Sequence, residues 1–224
     1  MNGGADSTDT GTTTNSDSTV GLMHTRVPHD DRLRVVFVCT GNRGRSPVAA
    51  ALFRQQAFSA HLPADATSLG TLQLEHLPAL PAAVRAAHRL GVDLSGHTSR
   101  TLSPVELSTA DLVLGFEPEH VSMSVIEGGS AIERTFLLGE LVALLQQGND
   151  ASDQLARARA AVALADLRRV RSRPDPRYTL PDPVGMSDRD VQRLAHTIDD
   201  LIRGLLRGLF GPAAPLASAR GGEA

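Results

Sequence analysis

The chain has no lysine, no tryptophan, one tyrosine and one cysteine. Each shortage excludes something. A Walker-type phosphate loop ends in Gly-Lys-Ser/Thr, so a chain whose 22 basic residues are all arginine cannot contain one. One cysteine rules out an intramolecular disulfide framework and any zinc site built on a cysteine pair. It fits a reducing compartment. No apolar run reaches the roughly 18 residues that a membrane span needs. The N-terminus lacks the charged start and apolar stretch of a secretory signal. The expected location is cytoplasmic, with no membrane insertion. A net charge of −3 gives no bulk attraction to nucleic acid, and none is expected as a partner. The eight histidines show no H-E-x-x-H or similar spacing, and no metal site is expected.

What remains is a chain of 224 residues, 41% hydrophobic, long enough to bury one sizeable core. Residues 1–30 are rich in Ser, Thr, Asp and Gly and read as a disordered tail. Residues 31–210 read as one domain, and 211–224 as a loose end. Within the domain, strand and helix signals alternate. "LRVVFVC" (33–39), "ADATSLG" (64–70), "ADLVLGF" (110–116) and "ERTFLLG" (133–139) read as four strands. Helices are expected over 47–59, with Pro47 at the first position, over 81–91, as a turn from Glu117, and over 152–171. Val191, Leu194, Ile198, Leu201, Ile202, Leu205 and Leu209 form the apolar stripe of a last helix, which Ser187 caps. This alternation predicts an α/β fold, a four-stranded parallel sheet with helices on both faces.

The single cysteine sits at the end of the first strand, in Cys39-Thr-Gly-Asn-Arg-Gly-Arg45-Ser46. A lone cysteine after a strand is ordinarily a small core residue. Here its company points elsewhere. In open α/β folds ligands bind outside the carboxyl ends of the strands, and a helix start presents free N–H groups to an anion. Gly41 and Gly44 let the backbone curl so that successive amides point inward. The same amides favour a thiolate at Cys39, the nucleophilic form. Arg45 can grip two phosphate oxygens as a planar fork. Ser46 can donate to the sulfur. Asn42 tolerates left-handed backbone angles and can brace the loop. Displacing an alcohol or phenol from phosphate also needs a proton donor. Two late Asp-Pro pairs offer Asp182, just before the last helix, and Asp175; either alone is ordinary turn chemistry.

These residues together resemble the low-molecular-weight protein tyrosine phosphatases. "VVFVCTGNRGRSP" is similar to that family's strand and phosphate loop, V-C-x-G-N-x-x-R-S-P. "SLGT" (68–71), "GVDLSGHTSRTL" (91–102), "ADLVLGFEPEHV" (110–121) and "LPDPVG" (180–185) resemble its later segments in order. The resemblance spans roughly 33–210 and implies the family's flavodoxin-like layout. It implies Cys39 as nucleophile, through a phosphocysteine intermediate. Arg45 and the amides of Thr40, Gly41, Asn42, Arg43 and Gly44 would bind phosphate. Ser46 would tune the thiolate, Asn42 and Ser68 would brace the loop, and Asp182 would serve as acid and then base. His97 would make a structural hydrogen bond. No cofactor or metal is needed, since Arg45 and the amides supply the positive field. The substrate would be a phosphotyrosine protein or a small phosphomonoester.

The chain departs from the family in ways that bear on function. Gly44 stands where a second cysteine is common, Arg43 where a small or apolar residue is usual, and Val184 where a tyrosine follows Asp-Pro. The ring walls for phosphotyrosine are thin, with Phe116 and Tyr178 as candidate substitutes. Two further readings stay open. One is a thiol-dependent arsenate reductase on the same fold, which would need an outside thiol. The other is a phosphate-loop binding module without turnover. The arginines at 157, 159, 168, 169, 171 and 173 read as a solvated helix face. With one thiol, peroxide is expected to carry Cys39 past sulfenic acid to sulfinic and sulfonic acids. Intact mass after peroxide, then reductant, should show irreversible oxygen additions; unusual resistance to peroxide would contradict this.

Overall fold

The β-branched run Leu33–Cys39 forms strand β1, with nearly every residue buried. The computed structural model describes residues 31–145, 153–169 and 175–211. Expectations for 1–30, for 212–224 and for Arg171 and Arg173 lie outside those residues. β1 pairs in parallel with β2 (Ala64–Gly70) on one side and with β3 (Leu112–Gly115) on the other, and β4 (Thr135–Leu137) pairs in parallel with β3. The sheet order is β2-β1-β3-β4. The chain therefore leaves β1 in one direction and returns for β3 on its other flank. That change of direction opens a crevice between the carboxyl ends of β1 and β3.

The helices are α1 (Arg45–Ser59), α2 (Pro81–Arg89), α3 (Pro104–Thr109), α4 (Pro118–Ile126), α5 (Leu138–Leu144), α6 (Gln154–Arg168) and α7 (Asp188–Phe210). Side chains alternate across a strand, and β1 sorts accordingly. Leu33, Val35, Phe37 and Cys39 join the larger core, with α1, α2, α5, α6 and α7. Val36 and Val38 turn to the other face and pack with Leu107 of α3. The expected sheet with helices on both faces is the observed fold. Among the described residues no helix is long and apolar enough to cross a membrane.

Several boundaries differ from expectation. α1 begins at Arg45, two residues early, so Pro47 is the third helical residue. The missing N–H of proline is harmless there, because the first four helical amides have no intrahelical partner. The expected strand over 133–139 is shorter: a 3-10 turn, Ile132–Arg134, precedes β4, and α5 starts at Leu138. The short helices α3 and α5 carry too few turns for a periodic signal. α7 matches its stripe: Val191, Leu194, Ile198, Ile202, Leu205 and Leu209 are buried. Ser187 caps it, accepting from the Asp190 amide and donating to its carboxylate.

Arg157 and Arg159 of α6, with the adjoining Arg169, are not a solvated face, whereas Arg168 is exposed as expected. Arg157 donates to the Phe210 carbonyl and Arg159 pairs with Asp111. Arg169, just past the helix, donates to the carbonyls of Thr135 and Ile132 and lies 3.7 Å from the Phe136 ring centroid. These side chains clamp α6 to its neighbours.

Phe37 anchors the middle of the sheet, its ring 5.9 Å from Phe53 and 6.5 Å from Phe116. Phe37→Ala should destabilise the fold by about 3–5 kcal/mol, measured by urea denaturation; a loss under about 1 kcal/mol would contradict this packing.

Candidate active site

The segment from Cys39 to Arg45 joins β1 to α1 at the crevice between β1 and β3. Its curl is fixed at Asn42, where φ is 52°, the left-handed region that asparagine tolerates. Every polar atom of that side chain is used. Asn42 Nδ2 donates to Ser46 Oγ and to Ser68 Oγ, both at 2.9 Å, and Oδ1 accepts from the Arg100 amide at 2.9 Å. The Asn42 carbonyl accepts from His97 Nε2 at 2.6 Å. Burial lowers the pKa of His97, so the ring is held neutral and donates through that nitrogen. Ser68 and His97 thus sit where the sequence placed them, against the loop. Gly70 lets the end of β2 approach. A Cβ there would lie 3.0 Å from both the Asn42 amide nitrogen and the Thr40 carbonyl oxygen.

Cys39 is buried, and its Sγ lies 3.0 Å from Ser46 Oγ. Ser46 Oγ also accepts from Asn42 and reaches the Leu69 carbonyl at 3.3 Å. The hydroxyl is thereby held beside the sulfur by the same asparagine that sets the loop.

Arg45 is 1% exposed, yet it carries a full charge. A buried charge needs partners to offset its lost hydration. Nη1 donates to Glu117 Oε2 at 2.5 Å and to the Leu180 carbonyl at 2.8 Å. Nη2 donates to Asp182 Oδ2 at 2.6 Å and to Thr40 Oγ1 at 3.1 Å. Nε is buried and, among the described residues, has no hydrogen-bond partner. The Phe116 ring lies beneath, 6.0 Å from Cζ. Asp182 is oriented in turn, since its Oδ1 accepts from the Val184 amide at 2.9 Å.

Cys39, Thr40, Asn42, Arg45, Ser46, Ser68 and Asp182 are therefore brought together. Gly41 and Gly44 lie in the same loop, Gly41 beside Leu74 and Gly44 beside Leu80 and Pro183. Arg43 turns away: Nε donates to the Pro78 carbonyl at 2.7 Å, and its own carbonyl accepts from Leu80. Asp175 is remote from this network. It caps a 3-10 turn and pairs with Arg177, whose hydrogen bonds hold its carboxyl below the usual range. Phe116 is fully buried, so it floors Arg45 and cannot wall an entrance. Tyr178 is half-buried in the turn Pro176–Tyr178, with Arg177 over its ring.

Two residues of the site escape sequence reasoning, Glu117 and His120. Glu117 reads as a helix-start residue and is one, the N-cap of α4 in a reciprocal capping box with His120. The same carboxylate also binds Arg45. The signal was its place, one residue beyond the Phe116 that follows β3, on the far side of the crevice. Among the described residues no group of three or more His, Cys, Asp or Glu could hold a metal ion.

Residues 34–157 match the family model of the low molecular weight phosphotyrosine protein phosphatases. A protein-arginine-phosphatase of Bacillus subtilis is 34% identical over 108 residues, covering 48% of this chain and 71% of that relative. A low molecular weight protein-tyrosine-phosphatase of Escherichia coli is 33% identical over 107 residues, covering 47% and 69%. Among solved structures, a low molecular weight protein tyrosine phosphatase from T. tengcongensis superposes with a TM-score of 0.61 at 26% identity, over 79% of this chain and 99% of that one. An arginine phosphatase from Geobacillus stearothermophilus gives 0.58 at 25% identity, over 79% and 92%. With the loop, the arginine and the sheet in place, the chain belongs to the low molecular weight phosphotyrosine protein phosphatase family and is a cysteine-based phosphatase of that family.

Proposed function

We propose that the protein hydrolyses phosphorylated protein side chains in two steps, through a phosphocysteine on Cys39. In the first, the Cys39 thiolate forms the S–P bond as the bond from phosphorus to the leaving atom breaks. Asp182 gives its proton to the leaving group. In the second, Asp182 takes a proton from water, which attacks phosphorus and releases phosphate and the Cys39 thiolate. Ser46 donates to the sulfur as it leaves. Arg45 and the loop amides bind the phosphoryl oxygens. The observation that carries this reading is the buried guanidinium of Arg45. It lies six residues beyond Cys39, its Nε has no partner among the described residues, and it bonds directly to Asp182.

Phosphotyrosine is the first substrate proposed, because the family whose model the chain matches is one of phosphotyrosine protein phosphatases. One observation favours a second, phosphoarginine. Two of the expected places offer the rim no aromatic wall, since Phe116 is buried and Val184 stands 73% exposed after Asp182-Pro183, which leaves the half-buried Tyr178 as the one candidate ring. Instead two carboxylates, Glu117 and Asp182, flank Arg45, an environment suited to a departing guanidine. An arginine phosphatase is among the similar proteins.

The acid is coupled to the loop by a close contact. A Cβ on Gly44 would lie 2.7 Å from Pro183 Cγ, so any side chain there pushes the Asp182 turn outward. This contact is a physical reason for glycine at position 44 of this chain.

Four measurements test the proposal. Cys39→Ser should abolish hydrolysis of p-nitrophenyl phosphate between pH 5 and 8 without added metal. Asp182→Asn should lower kcat by about 10²–10⁴-fold; wild-type activity in either variant rejects the assigned roles. Gly44→Ala should lower kcat by roughly 10- to 100-fold through misplacement of the acid, and adding Pro183→Gly should recover part of it. No recovery would mean that the contact does not set the position of Asp182. Competition between phosphotyrosine and phosphoarginine peptides decides the substrate class by their ratio of kcat/KM.

A further inference from the structure

His120 is buried against the site, and the two-step reaction gives it no task. Its hydrogen-bond partners determine its tautomer. Nδ1 lies 3.2 Å from the Phe116 amide and 3.1 Å from the Glu117 amide, and both amides donate to it. An amide cannot accept, so Nδ1 carries no hydrogen. Burial and the neighbouring Arg45 charge lower the pKa of the ring to about 4, so it is neutral at physiological pH. The one ring hydrogen is therefore on Nε2. Nε2 lies 3.0 Å from Thr40 Oγ1, against 3.5 Å from Glu117 Oε2.

The consequence passes to Thr40. A hydroxyl has two acceptor lone pairs and one hydrogen. Its Oγ1 receives His120 Nε2–H at 3.0 Å and Arg45 Nη2–H at 3.1 Å. Both lone pairs are then filled, and the hydroxyl hydrogen can only be donated. Among the described residues no acceptor takes it. The hydroxyl lies beside the Nη2 group of Arg45, in the residue next to Cys39, where a phosphoryl oxygen would enter.

We propose that the Thr40 side chain is a further donor to the phosphoryl group, and that His120 is the positioning residue that aims its hydroxyl hydrogen there. This rests on the phosphatase reading of the site. The Thr40 backbone amide belongs to the loop cradle in any case. What the side chain adds is a neutral donor whose direction is fixed by a relay, from two backbone amides through an imidazole to a hydroxyl. The bond made to a charged oxygen belongs to the stronger class of hydrogen bonds.

The test uses the full chain and two readouts. Steady-state hydrolysis of p-nitrophenyl phosphate gives kcat and KM. Protection of Cys39 from iodoacetamide by inorganic phosphate, read by intact mass, gives phosphate affinity without turnover, and the sole thiol makes the signal unambiguous. Thr40→Val should raise the phosphate concentration for half-protection and lower kcat/KM, each by about 10- to 100-fold. Thr40→Ser should remain within about threefold of wild type, because the hydroxyl is retained. His120→Asn keeps a side-chain oxygen for the two backbone amides but removes the Nε2 donor. It should cost about threefold or more alone and add nothing to Thr40→Val, because the two residues act through one bond. The inference is overturned if Thr40→Val matches wild type in both readouts, or if the two losses multiply in the double variant. A wild type that binds phosphate without turnover would reject the phosphatase reading, while the protection series still decides the inference. Failure of phosphate to protect wild-type Cys39 would reject both.

Discussion

The charge of Arg45 is the constraint around which the site is organised. A guanidinium this deeply buried is stable only if its hydrogens find oxygen. Those oxygens come from three separate stretches of chain: Thr40 in its own loop, Glu117 after β3, and Leu180 and Asp182 before α7. One side chain thus draws together three connections at one end of the sheet. The parallel sheet makes that convergence available, because every strand ends on the same edge. The reversal of direction between β1 and β3 leaves that edge open for the guanidinium.

Asn42 does for the backbone what Arg45 does for charge. Its left-handed φ is an energetic cost that the surrounding contacts must offset. Five groups hold it, from Ser46, Ser68, His97 and Arg100 and from the crowding of Gly70. Because Ser46 belongs to the same set, the geometry at the Cys39 sulfur follows from the geometry at Asn42. Loop shape and sulfur environment cannot vary independently.

Much of this is legible in the sequence, for a reason of distance along the chain. The cysteine loop is contiguous, so its glycines, its arginine and its neighbouring strand and helix can be read together. β1, β2 and β3 read as short runs of strand length and the long α7 carries a strong periodic signal, whereas the three residues of β4 are too few to fix their own bounds. Glu117 and His120 are hidden because their local pattern, glutamate then proline at a helix start, has a sufficient local explanation in capping. Their second task depends on β3 lying beside β1, which no local pattern reveals. Arg157, Arg159 and Arg169 mislead for the same reason: their partners include carbonyls, a carboxylate and a ring on other elements. Phe116 was readable. It keeps step with Leu112 and Leu114 at intervals of two and so falls on the face of the larger core.

The bond between Arg45 and Asp182 has a thermodynamic consequence. The resting protein supplies its own anions to the site that receives one. On the role proposed for Arg45, an arriving phosphoryl group would not meet a bare cation; it would exchange with carboxylates already seated there. Its affinity is a difference between two sets of similar bonds, smaller than either set alone. The same exchange runs backwards when phosphate leaves, since a returning carboxylate takes over the vacated donors. Under the proposed cycle, a site arranged in this way would hold phosphate by a narrow margin, and that margin would favour release after each turn.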